Sequence, residues 1–206
     1  DSISDAEGCL LGSLGEALEA IDRASISIGS AVAVIGGDYM GQLLIQLARL
    51  RGASQVTMVE NQPFRIKLAQ QLGATDVIHF EDPLLVSKML DSTQFNGYDV
   101  VFITSRAAGI LEQTLEFVAK GGRILFTTNS ADETFLPINL YTLYVGNITV
   151  GGVYLSSGKL PIAAHIAPTL PLNQLITAEY RFEYTTQAYQ ALKTGEHFKI
   201  AIHLPL

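Results

Sequence analysis

The chain has 206 residues, which at about 150 residues per domain corresponds to one to one and a half domains. Hydrophobic residues make up 48% of it and charged residues 16%. This composition excludes a disordered chain, because such chains are poor in apolar residues and rich in charge. The net charge of −7 argues against a broad nucleic-acid surface, since those surfaces are basic. Cys9 is the single cysteine, which excludes an internal disulfide and a cysteine-based zinc site built from this chain alone.

The acidic N-terminus has no signal-peptide pattern, and no apolar run approaches the ~18–20 residues that a membrane helix needs. We therefore expect a cytoplasmic protein. The sequence does not begin with methionine, so we also consider that it is a piece of a longer chain.

Apolar segments of strand length alternate with segments of helical period up to about residue 155. The predicted helices span Cys9–Ala24, Met40–Leu50, Pro63 to a stop at Gly73, Pro83–Leu90 and Ala107–Ala119. The predicted strands span Ala31–Ile35, Gln55–Val59, Val77–Phe80, Tyr98–Thr104, Arg123–Thr128 and Ile148–Tyr154. This alternation predicts an α/β fold with a doubly wound, parallel, six-stranded sheet, the Rossmann fold, whose crossovers are right-handed.

The alternation ends after about residue 155. A proline-rich stretch is followed by a predicted strand at Ala178–Phe182, a helix that Thr185 and Thr186 open, and a strand at Phe198–Leu204. We assign residues 1–24 to a linker helix, 25–172 to the doubly wound domain, and 173–206 to a small C-terminal α+β segment.

A glycine-containing turn connects the first predicted strand to the next helix, where this fold binds a pyrophosphate. Its residues are Gly36, Gly37, Asp38, Tyr39, Met40 and Gly41. Against the pattern G-x-G-x-x-G, Gly36 supplies the glycine of the tight turn, and Gly41 supplies the glycine that lets the helix pack on the strand. Asp38 takes the place of the middle glycine, which lets the backbone approach phosphate.

Glu60 ends the second predicted strand, 19 residues after Gly41. A carboxylate at this place accepts hydrogen bonds from the ribose hydroxyls of a dinucleotide. It would repel a 2′-phosphate, which favours NAD over NADP. The alternative is a turn that needs glycine only for its conformation, with Glu60 as a solvated acid at the end of a strand.

Five segments in fixed order resemble the medium-chain dehydrogenase/reductase superfamily, and within it the zinc-type alcohol, polyol and threonine dehydrogenases. They are Val32–Gly41, Val59–Glu60, Leu72–Ile78, Asp99–Val101 and Lys120–Leu125, and the ending Leu192–Ile200 is similar to the C-terminal pattern of the family. The resemblance identifies residues 25–172 as a dinucleotide-binding domain and residues 173–206 as the C-terminal segment of the substrate domain. It implies an enzyme that moves a hydride between NAD and an alcohol carbon.

The resemblance extends the candidate cofactor site. Arg65 matches a basic position beside the adenosine, and Asn61 follows Glu60 directly. The residues after the fourth and fifth strands complete the set: Thr104, Ser105, Arg106, Thr128 and Asn129. Arg106 replaces a small residue of the family, and an exposed surface arginine is an equally good interpretation. The family arginine that reaches the pyrophosphate after the sixth strand has no counterpart in Gly152–Leu155.

The N-terminal catalytic domain of the family, which holds the zinc ligands, has no counterpart in this sequence. Zinc is therefore expected only in a full-length parent, and we expect this chain alone not to oxidise alcohols. Asp5 takes the place of a linker glutamate, and we interpret it as a solvated acid rather than a metal ligand. The four histidines lack the spacing of metal ligands.

Asp38 also supports an alternative of another class, a non-catalytic, degenerate Rossmann domain that serves self-association or binds another ligand. Its carboxylate would repel a pyrophosphate and weaken NAD binding without abolishing it. At the start of a helix it can also cap free amides. Asp38 would then stabilise the unliganded domain and compete with the cofactor.

The segment 147–154 is predicted to be an apolar edge strand with few charges, and such edges invite pairing. Relatives dimerise by joining two such edges across a two-fold axis. We therefore expect a homodimer through this strand, and we expect proline at Thr149 or Gly151 to break it. The nearby Tyr141 and Tyr144 are interpreted as packing residues.

Overall fold

The structure, a computed structural model, describes residues 3–105, 110–127, 138–154 and 158–205, with the backbone alone for 110–112. The helices are α1 (Asp5–Gly8), α2 (Leu11–Ala24), α3 (Tyr39–Leu50), α4 (Pro63–Gln71), α5 (Leu85–Ser92), α6 (Ile110–Phe117), α7 (Leu140–Gly146), α8 (Leu160–Ile166) and α9 (Thr185–Lys193). The strands are β1 (Ala31–Ile35), β2 (Gln55–Val59), β3 (Asp76–Ile78), β4 (Tyr98–Ile103), β5 (Val118–Phe126), β6 (Thr149–Gly152), β7 (Ile176–Arg181) and β8 (Lys199–His203).

Six strands form one parallel sheet in the order β3-β2-β1-β4-β5-β6. The predicted doubly wound fold is therefore confirmed. Successive residues of β1 pack on opposite faces: Val32 and Val34 belong to one core cluster, Ala33 and Ile35 to the other. A strand buried on both faces needs an apolar residue at every position, which explains its continuous rather than alternating pattern.

The helices divide between the two faces of the sheet. One core cluster contains apolar residues from α2, α3, α4 and α8, and the other contains residues from α5 and Phe117 of α6. The segment predicted as a linker helix is part of the first cluster, because Leu14, Ala17 and Ile21 of α2 are buried there.

Several predicted bounds differ from the structure. The first predicted helix is divided into α1, which Ser4 and Glu7 cap reciprocally, and α2. The helix predicted to end at Ala119 ends at Phe117, and β5 begins at Val118, five residues before its predicted start. This early start follows from an irregular register, in which Tyr98 pairs with Val118 before the regular ladder resumes at Val100.

The C-terminal segment forms a separate two-stranded parallel sheet of β7 and β8, connected by α9.

Two tyrosines near the edge strand β6 are more exposed than the sequence predicts. Tyr141 and Tyr144 of α7, predicted to pack, are 71% and 84% exposed in the single chain. Among the described residues, no helix is long and apolar enough to cross a membrane.

Gly41 holds the start of α3 against the preceding turn. A Cβ atom added at Gly41 would overlap the carbonyl oxygen of Gly36 and contact Val34. The close helix–strand packing predicted for the third glycine is therefore present in the structure.

We predict that Gly41→Ala lowers the free energy of unfolding by about 1–3 kcal/mol, because the methyl group forces α3 away from the turn. Gly12→Ala is the matched control, since Gly12 is exposed in α2 with nothing within 4 Å of its added Cβ. That control should gain about 0.5–1 kcal/mol from helix propensity. Urea unfolding measures both, and equal stability of the two variants would contradict the packing argument.

Candidate functional site

A cavity of about 320 Å³ opens at the carboxyl ends of the central strands. It lies where the strand order reverses between β1 and β4, the place where open α/β sheets bind their ligands. Its lining residues are Gly36, Asp38, Val59, Glu60, Asn61, Arg65, Phe80, Thr104 and Ser105.

Gly36 is tightly enclosed by the segment after β4. Its φ angle is +108°, and an added Cβ would lie 2.5 Å from Oγ1 of Thr104 and 2.9 Å from the amide nitrogen of Ser105. The Thr104 hydroxyl donates to the Gly36 carbonyl at 2.9 Å. Only glycine fits at this point, and the contact fixes the turn after β1 to the end of β4.

Glu60 is buried at the end of β2, and its carboxylate accepts hydrogen bonds from several directions. Oε2 accepts from the Gly37 amide at 2.8 Å and from Nη1 of Arg65 at 3.3 Å. Oε1 accepts from the amides of Asn61 at 2.8 Å and Gln62 at 3.1 Å. A carboxylate offers about four lone-pair sites, so protein donors occupy all of those on Glu60.

These contacts keep Glu60 ionised. Burial raises its pKa, but the amides of Gln62, Gly37 and Asn61 and the charge of Arg65 together hold the pKa below its ordinary value. The interpretation of Glu60 as a solvated acid is therefore wrong, since it is only 9% exposed.

Gln42 completes a closed ring of hydrogen bonds beside the cavity. Its Nε2 donates to the carbonyl of Gly37 at 3.1 Å and to the carbonyl of Arg65 at 3.0 Å. Since Gly37 and Arg65 both donate to Glu60, the ring connects α3, the glycine turn, the end of β2 and α4. It positions the side chains of Glu60 and Arg65 relative to the turn.

Asp38 is the N-cap of α3, as its position in the sequence predicts. Its Oδ1 accepts from the Gly41 amide at 2.9 Å. Burial raises the pKa of Asp38. The Gly41 amide, the Thr104 hydroxyl and the charge of Arg65 partly oppose that rise.

Lys199 reaches this turn from the C-terminal segment. Its Nζ lies 3.7 Å from the centroid of the Tyr39 ring. Burial lowers the pKa of Lys199, while the negative charges of Asp38 and Glu16 oppose that shift. Sequence reasoning missed Lys199 as a site residue, although its segment carries the C-terminal resemblance, because nothing in its pattern relates it to a turn 160 residues earlier.

The other predicted residues divide into three groups. Asn61 and Ser105 line the cavity, and Oδ1 of Asn61 accepts from the Phe80 amide at 2.7 Å. Tyr39 lies beneath Lys199, and Met40 is buried in the core, where it has no access to the cavity. Arg106, Thr128 and Asn129 lie outside the described residues. Val59, Phe80 and Gln42 contribute to the site without having been predicted.

The family resemblance implies two bound groups, a catalytic zinc ion and a nicotinamide dinucleotide. In the described part of the chain, no cluster of three or more His, Cys, Asp and Glu residues could hold a metal ion, so the residues do not fit a catalytic zinc. A dinucleotide fits better, because the cavity presents an ionised carboxylate beside the glycine turn. Within the described residues, moreover, Nε of Arg65 is buried without a hydrogen-bond partner.

A family model of zinc-binding dehydrogenases matches residues 40–167, more than half of the chain. Sorbitol dehydrogenase of Rattus norvegicus is 25% identical over 206 residues, which cover 98% of this chain and 57% of the rat protein. The chain thus spans little more than half the length of such relatives.

Solved structures agree on the fold. The match to 2R,3R-butanediol dehydrogenase of Bacillus subtilis covers 100% of this chain and 59% of the butanediol dehydrogenase chain, with a TM-score of 0.89 and 22% identity. A protein of Sinorhizobium meliloti 1021, assigned to the zinc-binding dehydrogenases and bound to NADP, matches 95% of this chain and 58% of its own, with a TM-score of 0.89 and 22% identity. The family resemblance predicted from the sequence is confirmed, and the chain belongs to the zinc-binding dehydrogenases.

Proposed function

We propose that this chain is the nicotinamide-dinucleotide-binding part of an alcohol or polyol dehydrogenase, and that it takes NAD rather than NADP. The observation that carries the proposal is the ionised, buried Glu60 in a cavity at the point where the strand order reverses. A negative charge there favours a ribose diol and opposes a 2′-phosphate.

Glu60 has to exchange a partner to bind a ribose, since its acceptor sites are occupied. Arg65 is the partner that gives way, because it makes the longest of the four bonds and is the only side chain among those donors. Its guanidinium then turns toward the ligand, where the buried Nε gains an acceptor. The backbone donors keep Glu60 in place during the exchange.

The bound nicotinamide supplies the hydride chemistry. The residues of this chain bind and orient the dinucleotide. We assign no step to zinc, because the described residues offer no set of ligands for it. Oxidation of an alcohol or polyol belongs to the whole protein and rests here on the family alone. A cytoplasmic location stays a prediction from the sequence.

We predict that the chain binds NAD more tightly than NADP, and that Glu60→Gln weakens NAD binding about tenfold or more. A hydrogen bond to a charged acceptor contributes about 1.5–3 kcal/mol, and the amide of glutamine accepts more weakly. Glu60→Gln should also reduce the preference for NAD. Calorimetric titration measures both effects.

Glu116→Gln is the matched control for this experiment, since it removes the same charge from an exposed position on α6. The proposal is wrong if wild-type protein binds neither dinucleotide, or if the Glu60 and Glu116 variants bind NAD equally well.

Glu60 also predicts a pH dependence of stability. The folded state holds its pKa below the ordinary value of 4.5, so the unfolded chain binds more protons in that range. The contribution of ionised Glu60 to the free energy of unfolding is therefore complete above pH 4.5, and it is lost as the pH falls through the pKa of Glu60 in the folded state. We expect Glu60→Gln to be less stable than wild type at neutral pH and to lose less stability on acidification. Thermal melts between pH 3 and pH 7 measure the difference, which a parallel decline of the two proteins would contradict.

We also propose a homodimer through β6. This strand is the last of the sheet, so no other described strand pairs with its outer edge. Exposed apolar side chains lie beside it, with Tyr141 and Tyr144 on α7 and Tyr154 just after the strand. A second copy of the chain would cover this surface symmetrically and give these tyrosines a packing role.

The orientation of β6 changes the variant that tests this dimer. The Val153 amide donates to the Phe126 carbonyl at 2.8 Å. Amide direction alternates along a strand, so the amides of Thr149 and Gly151 also face β5 and that of Val150 faces outward. Proline at Thr149 or Gly151 would therefore damage the sheet itself, contrary to the expectation from the sequence.

Val150→Pro removes an outward-facing amide, a position where an edge strand tolerates proline. We predict that it yields a monomer by light scattering while the wild type is a dimer. Val150→Ala, which keeps the amide, should remain dimeric. A wild-type monomer, or a dimeric proline variant, would place self-association elsewhere.

A further inference from the structure

Asp38 occupies the position at which the glycine turn would otherwise meet a phosphate. In this fold a ligand pyrophosphate lies at the N-terminus of the first helix after β1 and accepts hydrogen bonds from its free amides. In this chain the Asp38 carboxylate already lies there, with Oδ1 2.9 Å from the Gly41 amide. Asp38 and a phosphate therefore share both the donors and the sign of charge.

The groups around Asp38 do not cancel its charge completely. Arg65 of α4 and Lys199 of β8 attract it, and Glu60 lines the same cavity after β2. Glu16 of α2 attracts Lys199, and the charges of Asp38 and Glu16 both act on Tyr39 of α3. The Thr104 hydroxyl, which follows β4, stabilises the charged form of Asp38. The three carboxylates outnumber the two cations, so a phosphate entering this turn adds negative charge to a site that is already negative.

We propose, on the basis of the proposed function, that Asp38 is a specificity-determining residue of the site: the negative charge of its carboxylate at the start of α3 repels the ligand phosphate, so that a phosphate-bearing ligand binds with uptake of one proton by Asp38. The proton comes from solvent and converts the carboxylate to a neutral carboxyl group. A nucleoside without phosphates reaches Glu60 without meeting this repulsion.

The raised pKa of Asp38 brings this protonation closer to neutral pH than for an exposed aspartate. The affinity for a phosphate-bearing ligand should rise as the pH falls and Asp38 becomes neutral. Two unit charges at ~4 Å in a medium of dielectric near 20 change an affinity by roughly a thousandfold. Lys199 and Arg65 reduce that effect, and we expect at least about tenfold.

Asp38→Asn is the decisive variant, because asparagine caps a helix as well as aspartate and carries no charge. Asp91→Asn, at an exposed position on α5, is the control for net charge. NAD and adenosine are titrated calorimetrically into each protein between pH 5 and pH 8. Buffers of different ionisation enthalpy report the number of protons taken up.

We expect wild type and the Asp91 variant to bind NAD progressively more weakly as the pH rises, with proton uptake. The Asp38 variant should bind NAD at least about tenfold more tightly at pH 8, without proton uptake, and all three proteins should bind adenosine alike. Asp38→Gly, which restores the glycine pattern, should also tighten NAD binding and should lower the thermal midpoint slightly, since it loses the cap.

The inference is overturned, with the proposed function intact, if wild type and the Asp38 variants bind NAD equally. It is also overturned if the Asp38 variant keeps the pH dependence, because Glu16 or Lys199 would then be the titrating group. If no variant binds NAD or adenosine, the proposed function fails and the inference fails with it.

Discussion

The site depends on one buried carboxylate and the donors that surround it. Burying Glu60 is unfavourable unless its charge is compensated, and three backbone amides with one guanidinium provide that compensation. The donors come from the glycine turn, from the residues after β2 and from α4. Satisfying Glu60 therefore fixes these three segments relative to one another. Gln42 closes the arrangement from α3, so the loss of any member leaves a buried polar group unpaired.

The same residues bear on both interpretations of this chain, a dinucleotide-binding domain and a non-catalytic, degenerate Rossmann domain. A dinucleotide needs an ionised Glu60 and a receptive glycine turn, but the turn already contains an anion in Asp38. In a degenerate domain the Asp38 cap would contribute to stability, but the ionised Glu60 that lines the cavity would have no ligand to bind. The proposed proton-coupled binding would reconcile the two, because a neutral Asp38 could keep its cap on α3 without repelling a phosphate. The balance then lies in the charges of Lys199 and Arg65.

The C-terminal segment contributes to the site from a distance. Phe198 packs on Phe64, with ring centroids 5.1 Å apart, and the guanidinium of Arg65 lies 5.6 Å from the centroid of Phe64. Lys199, the next residue, covers Tyr39 at the start of α3. Although β7 and β8 form their own sheet, the C-terminal segment thus contacts α3 through Tyr39 and α4 through Phe64. A change in this segment therefore acts directly on the charge balance of the site.

The sequence alone determined the parallel, doubly wound fold and the place of the cavity. Both are indicated by local patterns, the apolar periodicity and the positions of the glycines, which involve only residues close together in the chain. It also identified the residues that the turn and the end of β2 bring to the cavity, among them Gly36, Asp38 and Glu60. Only the tertiary structure showed that the acceptor sites of Glu60 are all occupied, that Gln42 connects the turn to α4, and that Lys199 lies over Tyr39, where it interacts electrostatically with Asp38. It also decided which amides of β6 face outward, through the register with β5. These features depend on contacts between residues far apart in the chain, and a local pattern carries no information about which distant donor reaches a given acceptor.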